Sequence, residues 1–343
     1  MTAKRSVRVA AVQECPVLLD REATLELLDR LTERAAGEGA QLVVFPEAFV
    51  PGPPVWIDAL PVGEDAESHA ALMRESVTIP GPACDRLAAA ARRNRVVLVV
   101  GVNEREQRGG TIYNTVLTFG PDGSLLGRHR KLIPTHGERL VWGMGDGSDL
   151  RVLDTPAGRL ASLICWENYM PLARFHLYAQ GPEIWLAPTL ACWEVWIPTM
   201  RHIARESGCF TIGVAPVMHP DWLPETLPDA APLLKEAEQL DGWLLEGYSV
   251  IVDATGEVLA GPLVRERGIL LADLDLDSLL ARKRLFDATG HYNRPDVFAL
   301  TVDDRRKPAV SCRSSQPQAA DAREDDRAPE RARGADRLRT ANR

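Results

Sequence analysis

Short runs of apolar residues recur along the chain, separated by polar or glycine-containing segments. Such runs are typical of buried strands, and a strand covered on both faces shows no alternation with polar residues. The clearest example is residues 96–101. The same reasoning predicts strands at residues 7–12, 42–45, 113–119, 124–129, 151–154, 160–165, 184–187, 210–215, 248–253 and 268–273.

Other segments repeat their apolar residues at helical spacing. In residues 22–36, Leu28, Leu31 and Ala35 share one face of a predicted helix. Further helices are predicted at residues 82–93, 198–207 and 276–286, a hairpin turn at Pro121-Asp122-Gly123, and a loop in the Pro- and Asp-rich segment 217–242. Helices alternate with strands early and hairpins follow later. This order favours an α/β fold with a mixed sheet, or a pair of sheets, flanked by helices.

The composition changes at about residue 303, after which large apolar residues are almost absent. Such a segment cannot bury enough surface to order itself. We therefore predict one domain over residues 1–302 and a charged, disordered tail over residues 303–343. A tail that binds a partner is the alternative.

The overall numbers narrow the class of protein. The 343 residues, 45% hydrophobic and 26% charged, suit a soluble globular protein with one large or two small domains. A net charge of −8 argues against a nucleic-acid partner. No apolar run is long enough for a transmembrane helix and no signal peptide is visible, so a cytoplasmic location is predicted. The six cysteines lack CxxC spacing, which favours free thiols over disulfides or a metal site.

Cys165 ends one predicted strand and precedes Trp166, where a turn and then a helix are predicted to begin. A thiol facing a helix N-terminus has its thiolate form favoured by backbone N–H groups and by the helix dipole. The same N–H groups could receive charge that develops on a substrate. The alternative is a small buried apolar cysteine, and the residues alone leave both interpretations open.

Three charged residues could act with such a nucleophile. Glu47 follows an apolar strand, so its neighbours would desolvate the carboxyl group and raise its pKa towards that of a general base; a solvated loop glutamate is the alternative. Lys131 lies in a basic run, where an inward-pointing ammonium would stabilise a thiolate; a fully solvated run is the alternative. Glu138 is a further acidic candidate, with an ion pair to Arg139 as the alternative.

Five motifs, in order along the chain, resemble those of the nitrilase superfamily, and within it the true nitrilases. They are Phe45-Pro46-Glu47, Arg130-Lys131-Leu132-Ile133-Pro134-Thr135, Glu138-Arg139-Leu140-Val141-Trp142-Gly143 with Gly145-Asp146-Gly147-Ser148, Cys165-Trp166-Glu167-Asn168, and His291-Tyr292-Asn293-Arg294-Pro295-Asp296-Val297-Phe298. Cys-Trp-Glu is similar to the nitrilase branch rather than to the amidase branches.

The resemblance implies a four-layer α-β-β-α sandwich with two stacked mixed sheets, and a homo-oligomer that is a dimer or a larger spiral. It implies Cys165 as nucleophile, Lys131 as cationic partner, Glu47 as base and Glu138 as a supporting carboxylate, with no metal or organic cofactor. The residues expected to face the substrate are Pro53, His136, Trp166 and Trp193.

The expected reaction is hydrolysis of a small-molecule nitrile to a carboxylic acid and ammonia through a covalent thioimidate and thioester. Tryptophans close to the motifs favour an aromatic or arylaliphatic nitrile, and aliphatic nitriles and cyanide stay open. Three alternatives are an amidase using the same residues, a thiol hydrolase pairing Cys165 with His291 or His136, and a non-enzymatic filament-forming protein.

Overall fold

The strands of the protein form two mixed sheets. The computed structural model describes residues 5–307. The strands within this range are β1 Ser6–Gln13, β2 Leu42–Val44, β3 Val97–Arg105, β4 Ile112–Phe119, β5 Leu125–Arg130, β6 Leu153–Thr155, β7 Gly158–Ser162, β8 Ile184–Pro188, β9 Phe210–Val214, β10 Val217–Met218, β11 Leu245–Val252, β12 Val258–Val264 and β13 Gly268–Asp275.

Each sheet has a parallel centre and antiparallel flanks. The first has the order β13-β1-β2-β3-β4-β5, with β1, β2 and β3 parallel to one another. The second has the order β10-β11-β9-β8-β7-β6, with β12 paired to β11 and with β7, β8 and β9 parallel. Two successive antiparallel pairings, β3 with β4 and β4 with β5, make β5 run in the same direction as β2 and β3.

Several helices pack on the outer faces of the two sheets, whereas two others bury their apolar residues in a separate core. Their bounds are α1 Arg21–Gly37, α2 Ala66–Glu75, α3 Pro82–Asn94, α4 Pro171–Tyr178, α5 Trp196–Ser207, α6 Ala230–Gln239 and α7 Leu279–Lys283. The start of α1 follows directly from its sequence, because the Asp20 carboxylate accepts a hydrogen bond from the Ala23 N–H at 2.9 Å. Leu25 and Leu28, one turn apart, are then buried on the inner face of this helix.

The alternation of side chains along β1 shows how the layers stack. Val9 and Ala11 belong to the apolar core shared with the second sheet, whereas Ala10 and Val12 belong to the core beneath α1 and α3. Both faces of the strand are therefore buried, as its continuous apolar run predicts. The predicted α-β-β-α sandwich is confirmed.

Several predicted elements are wrong in type or extent. Segment 217–242 is not one loop: it contains β10 and α6, because Leu233 and Ala237 bury one face of a helix despite the surrounding prolines and acids. The predicted strand 160–165 ends at Ser162. The predicted helix 276–286 is a 3₁₀ turn, Leu276–Ser278, followed by the short α7. Helix α2 and strand β12 were not predicted, and the helix predicted to follow Cys165 begins at Pro171, as α4.

Three other predictions concern the cysteines, membrane-spanning helices and the C-terminal tail. The five cysteines among the described residues are free thiols, as predicted. Within residues 5–307, no helix is both long and apolar enough to cross a membrane. Residues 303–307 contain no helix or strand, and the rest of the predicted disordered tail, 308–343, lies outside the described residues.

Candidate active site

The three residues expected to carry the chemistry all lie just beyond the C-terminal ends of strands. Glu47 follows β2 and Lys131 follows β5 in the first sheet, while Cys165 follows β7 in the second. Because β2 and β5 run in the same direction, Glu47 and Lys131 emerge at the same edge of their sheet. Strand ends of this kind are where open α/β sheets place their binding sites.

Lys131 is a buried cation held between two carboxylates. Its Nζ lies 2.7 Å from Glu47 Oε1 and 2.8 Å from Glu138 Oε2, and the residue is 1% exposed. Burial alone lowers the pKa of an ammonium group, but here the charges of Glu47 and Glu138 outweigh it and raise the pKa of Lys131 above its usual value. The lysine is therefore charged at neutral pH.

Glu47 has one engaged and one free carboxylate oxygen. Oε1 accepts hydrogen bonds from Lys131 and, at 2.6 Å, from Asn114 Nδ2. Oε2 is buried and has no hydrogen-bond partner within the described part of the chain. Burial raises the pKa of Glu47 despite the opposing charge of Lys131, which is the direction predicted for a general base.

Cys165 lies in a strained turn rather than at the end of a strand. Its φ of 52° is in the left-handed region, and it begins a 3₁₀ helix, Cys165–Tyr169. Burial, and then the charge of Glu47, raise the pKa of its thiol to about 12. The predicted thiolate stabilisation by a helix N-terminus is therefore wrong, because α4 begins only at Pro171.

Glu138 faces Lys131 and does not form the surface ion pair considered from the sequence. Its Oε2 accepts from Lys131 and also from the Thr135 N–H at 2.7 Å, which caps the 3₁₀ helix His136–Leu140. Arg139 instead donates to the Pro134 carbonyl at 3.1 Å. The capping bond holds the second carboxylate on the lysine.

A cavity of about 370 Å³ opens onto Cys165. All four residues expected to face a substrate line it: Pro53, His136, Trp166 and Trp193. The His136 and Trp166 rings are in edge contact, with centroids 5.4 Å apart. His291, the other histidine considered as a partner for Cys165, is exposed and contacts the ring of Tyr292.

Three residues that support the site were not identified from the sequence. Asn114 of β4 donates to Glu47 and accepts from the Lys131 N–H at 2.8 Å, so it holds both charged residues. Glu167 is a buried carboxylate directly behind the site. Gly101 lies under the Glu47 backbone, where an added Cβ would come within 2.7 Å of Glu47 Cα. Asn114 and Gly101 could have been found from the sequence, because each is a polar or glycine residue inside an otherwise apolar strand.

The fold and this cluster of charged residues and thiol define a class of enzyme. The chain belongs to the carbon-nitrogen hydrolase family, whose model matches residues 8–284. The fold is similar to that of a carbon-nitrogen hydrolase from Helicobacter pylori, with a TM-score of 0.66 at 23% identity, covering 86% of this chain and 97% of that one.

Two relatives found by sequence comparison carry names more specific than that of the family. The chain is 42% identical to "Nitrilase 1" of Arabidopsis thaliana over 318 residues, which cover 89% of each chain. It is also 42% identical to the "Aliphatic nitrilase" of Sinorhizobium fredii over 312 residues, covering 90% of this chain and 99% of that one. These relatives agree with the resemblance read from the five motifs.

The raised pKa of Cys165 predicts a protonated thiol in the resting enzyme. A group whose pKa is about 12 is almost wholly protonated at neutral pH, and its thiolate fraction rises about tenfold per pH unit. The ultraviolet difference spectrum between the wild type and Cys165→Ala should therefore show no thiolate band near neutral pH, and a band only under strongly alkaline conditions. A clear thiolate band at neutral pH would contradict this protonation state.

The position of Glu138 predicts a loss of activity on Glu138→Gln. This change keeps the side-chain shape but removes one of the two charges that hold the Lys131 ammonium. We expect kcat to fall at least about tenfold, equivalent to about 1.4 kcal/mol of transition-state stabilisation, with a smaller effect on melting temperature. Arg139→Gln is the matched neighbouring control and should leave kcat nearly unchanged. Equal kcat values for the two variants would remove Glu138 from the catalytic set.

Proposed function

We propose that this chain is a nitrilase that converts an organic nitrile and two water molecules to a carboxylic acid and ammonia, with Cys165 as the nucleophile. The observation that carries the proposal is the buried Lys131 ammonium held between Glu47 and Glu138 at the base of a cavity lined by Cys165. The nitrilases that are 42% identical over nine-tenths of the chain support the enzyme class.

In the first step, the Cys165 sulfur attacks the nitrile carbon. The thiol proton passes to Glu47, whose Oε2 is unoccupied by other donors of the described chain, and then to the nitrile nitrogen. A C–S bond forms, one C–N π bond breaks, and a neutral thioimidate results. Since the resting thiol has a raised pKa, the attack requires a base, and the raised pKa of Glu47 suits that role.

Two hydrations complete the reaction. Water adds to the thioimidate with Glu47 as base, and the tetrahedral species loses ammonia to leave a thioester. A second water, deprotonated by the same carboxylate, releases the acid and returns the proton to the sulfur. Lys131 stabilises the negative charge of each addition step, and Glu138 keeps it charged when Glu47 is neutral.

The cavity walls indicate a bulky substrate without negative charge. Trp142, Trp166 and Trp193 line the cavity and offer broad apolar faces to an aromatic or arylaliphatic group. Asp58 and Glu236 also line it, and none of the described lining residues is Lys or Arg. An anionic group on the nitrile would face these two carboxylates, and the Lys131 cation at the base of the cavity is already paired with Glu47 and Glu138.

An amidase that uses the same residues is the second candidate, because the charged cluster would also serve to cleave a C–N single bond. Ammonia release from matched nitriles and amides separates the two enzymes.

A homo-oligomer is also proposed. Its support is the set of exposed apolar side chains late in the chain, namely Leu280, Leu285, Phe286, Tyr292 and Phe298.

The nucleophile is tested with Cys165→Ala. Since no other group would supply the covalent intermediate, the variant should keep its melting temperature and lose turnover of every nitrile by at least about a thousandfold. Mass spectrometry of wild type quenched during turnover should show an acyl or imidate adduct on the peptide that contains Cys165. His291→Ala is the control for a cysteine–histidine hydrolase and should stay active. An active Cys165→Ala enzyme would contradict the mechanism.

The charge of the cavity wall predicts a substrate preference. Phenylacetonitrile with a para-nitro group should be turned over faster than its para-carboxylate analogue, and Glu236→Gln should narrow that ratio. A Coulomb energy of about 0.5 to 2 kcal/mol at about 8 Å corresponds to a change of about two- to thirtyfold. Glu238→Gln, an exposed change on the same helix, should leave the ratio as it is. The proposed preference fails if Glu236→Gln does not move the ratio.

A further inference from the structure

Glu167 is a buried carboxylate whose two oxygens are both engaged by the backbone. Oε1 accepts from the Leu132 N–H at 2.6 Å, and Oε2 accepts from the Ile164 N–H at 2.6 Å. His129 Nε2 contacts the same group, 2.9 Å from Oε2 and 3.2 Å from Oε1. The residue is 1% exposed and does not line the substrate cavity.

These contacts join the two halves of the active site. Leu132 directly follows Lys131, just after β5 of the first sheet, and Ile164 directly precedes Cys165, just after β7 of the second sheet. One carboxylate therefore holds the chain next to the cation and the chain next to the thiol. We propose that Glu167 is a positioning residue that sets the alignment of Lys131 with Cys165. The inference rests on the catalytic roles proposed above for those two residues.

The carboxylate is ionised and paired rather than available for chemistry. Burial alone would raise the pKa of Glu167, but the His129 charge and the two backbone hydrogen bonds lower it below its usual value. His129 in turn has a raised pKa, because the Glu167 charge outweighs the effect of its own burial. A buried ion pair adds little to stability in general, while its directional bonds can fix the register of the groups around it.

The chemistry of the amide group makes Glu167→Gln a sharp test. Glutamine has one acceptor oxygen and one NH₂ group. In either orientation of the amide, the NH₂ group therefore faces one of the two backbone N–H groups that donate to Glu167 in the wild type. The hydrogen bond from either the Leu132 N–H or the Ile164 N–H must be lost. The loss frees the backbone next to Lys131 in the first case and next to Cys165 in the second. We expect kcat to fall at least about tenfold with KM changed less than about threefold, because the substrate cavity itself is untouched.

The control is Glu206→Gln, which alters a second carboxylate ion pair, one that is more exposed to solvent. Glu206 accepts from the Arg174 and Tyr178 side chains between α4 and α5, and its pKa is also lowered. This variant should lower the melting temperature, by less than Glu167→Gln does because Glu206 is more exposed, and keep kcat within about twofold. Glu167→Asp keeps both acceptor oxygens and the charge, so it should recover part of the kcat that the glutamine variant loses. If Glu167→Gln does not fold, Glu167→Asp is compared with Glu206→Gln instead.

The outcomes separate this inference from the proposed function. Wild-type turnover of nitriles tests the function first, and the variants are then compared on whichever nitrile or amide the wild type hydrolyses. A kcat loss in Glu167→Gln that exceeds the loss in the control, with both variants assayed well below their melting temperatures and with partial rescue by aspartate, supports positioning. Equal kcat losses in Glu167→Gln and Glu206→Gln, a change confined to KM, or an aspartate variant no better than glutamine would overturn it.

Discussion

The buried ammonium of Lys131 is the constraint on which the rest of the site depends. A cation removed from water costs several kcal/mol unless opposite charges and hydrogen bonds replace its solvation. Glu47 and Glu138 supply those charges from two different segments, and the Asn114 side chain bonds the first of them. The requirement that these segments meet at one edge of the first sheet explains why a strand, a turn and a 3₁₀ helix converge there.

The same charge arrangement explains how a protonated thiol can be a nucleophile. With Lys131 cationic throughout, two carboxylates face it in the resting state, and Glu138 alone still balances it after Glu47 has taken a proton. The proton of Cys165 thus moves within a cluster whose net charge changes little. The burial that raises the pKa of Cys165 also strengthens every electrostatic interaction that stabilises the addition steps.

Sequence patterns predicted the parts of this structure that depend on local order. The apolar runs identified most strands, and the motif residues Glu47, Lys131 and Cys165 do lie together. The predicted stabilisation of the Cys165 thiolate by a helix N-terminus is wrong because it depends on how far the thiol is buried and where α4 begins, and neither is a local property. Glu167 was missed for a related reason, since its partners Leu132 and Ile164 come from two sheets. The helix α6 was missed because the prolines and acids in and before it concealed two buried positions, Leu233 and Ala237.

The cavity is assembled from two sets of segments with separate duties. The reacting groups follow strand ends deep in the sandwich, whereas much of the outer wall comes from the segment containing Val55 and Asp58 and from Glu236 of α6 with Leu240 just after it. In the described part of the chain, the hydrogen bonds of the Lys131 ammonium and of its two carboxylates come from Asn114 and Thr135 and from one another, and none comes from that outer wall. A chain built this way can diversify in what it accepts while its chemistry stays constant, and combinatorial libraries aimed at new substrates would retain most of their active members if confined to those two segments.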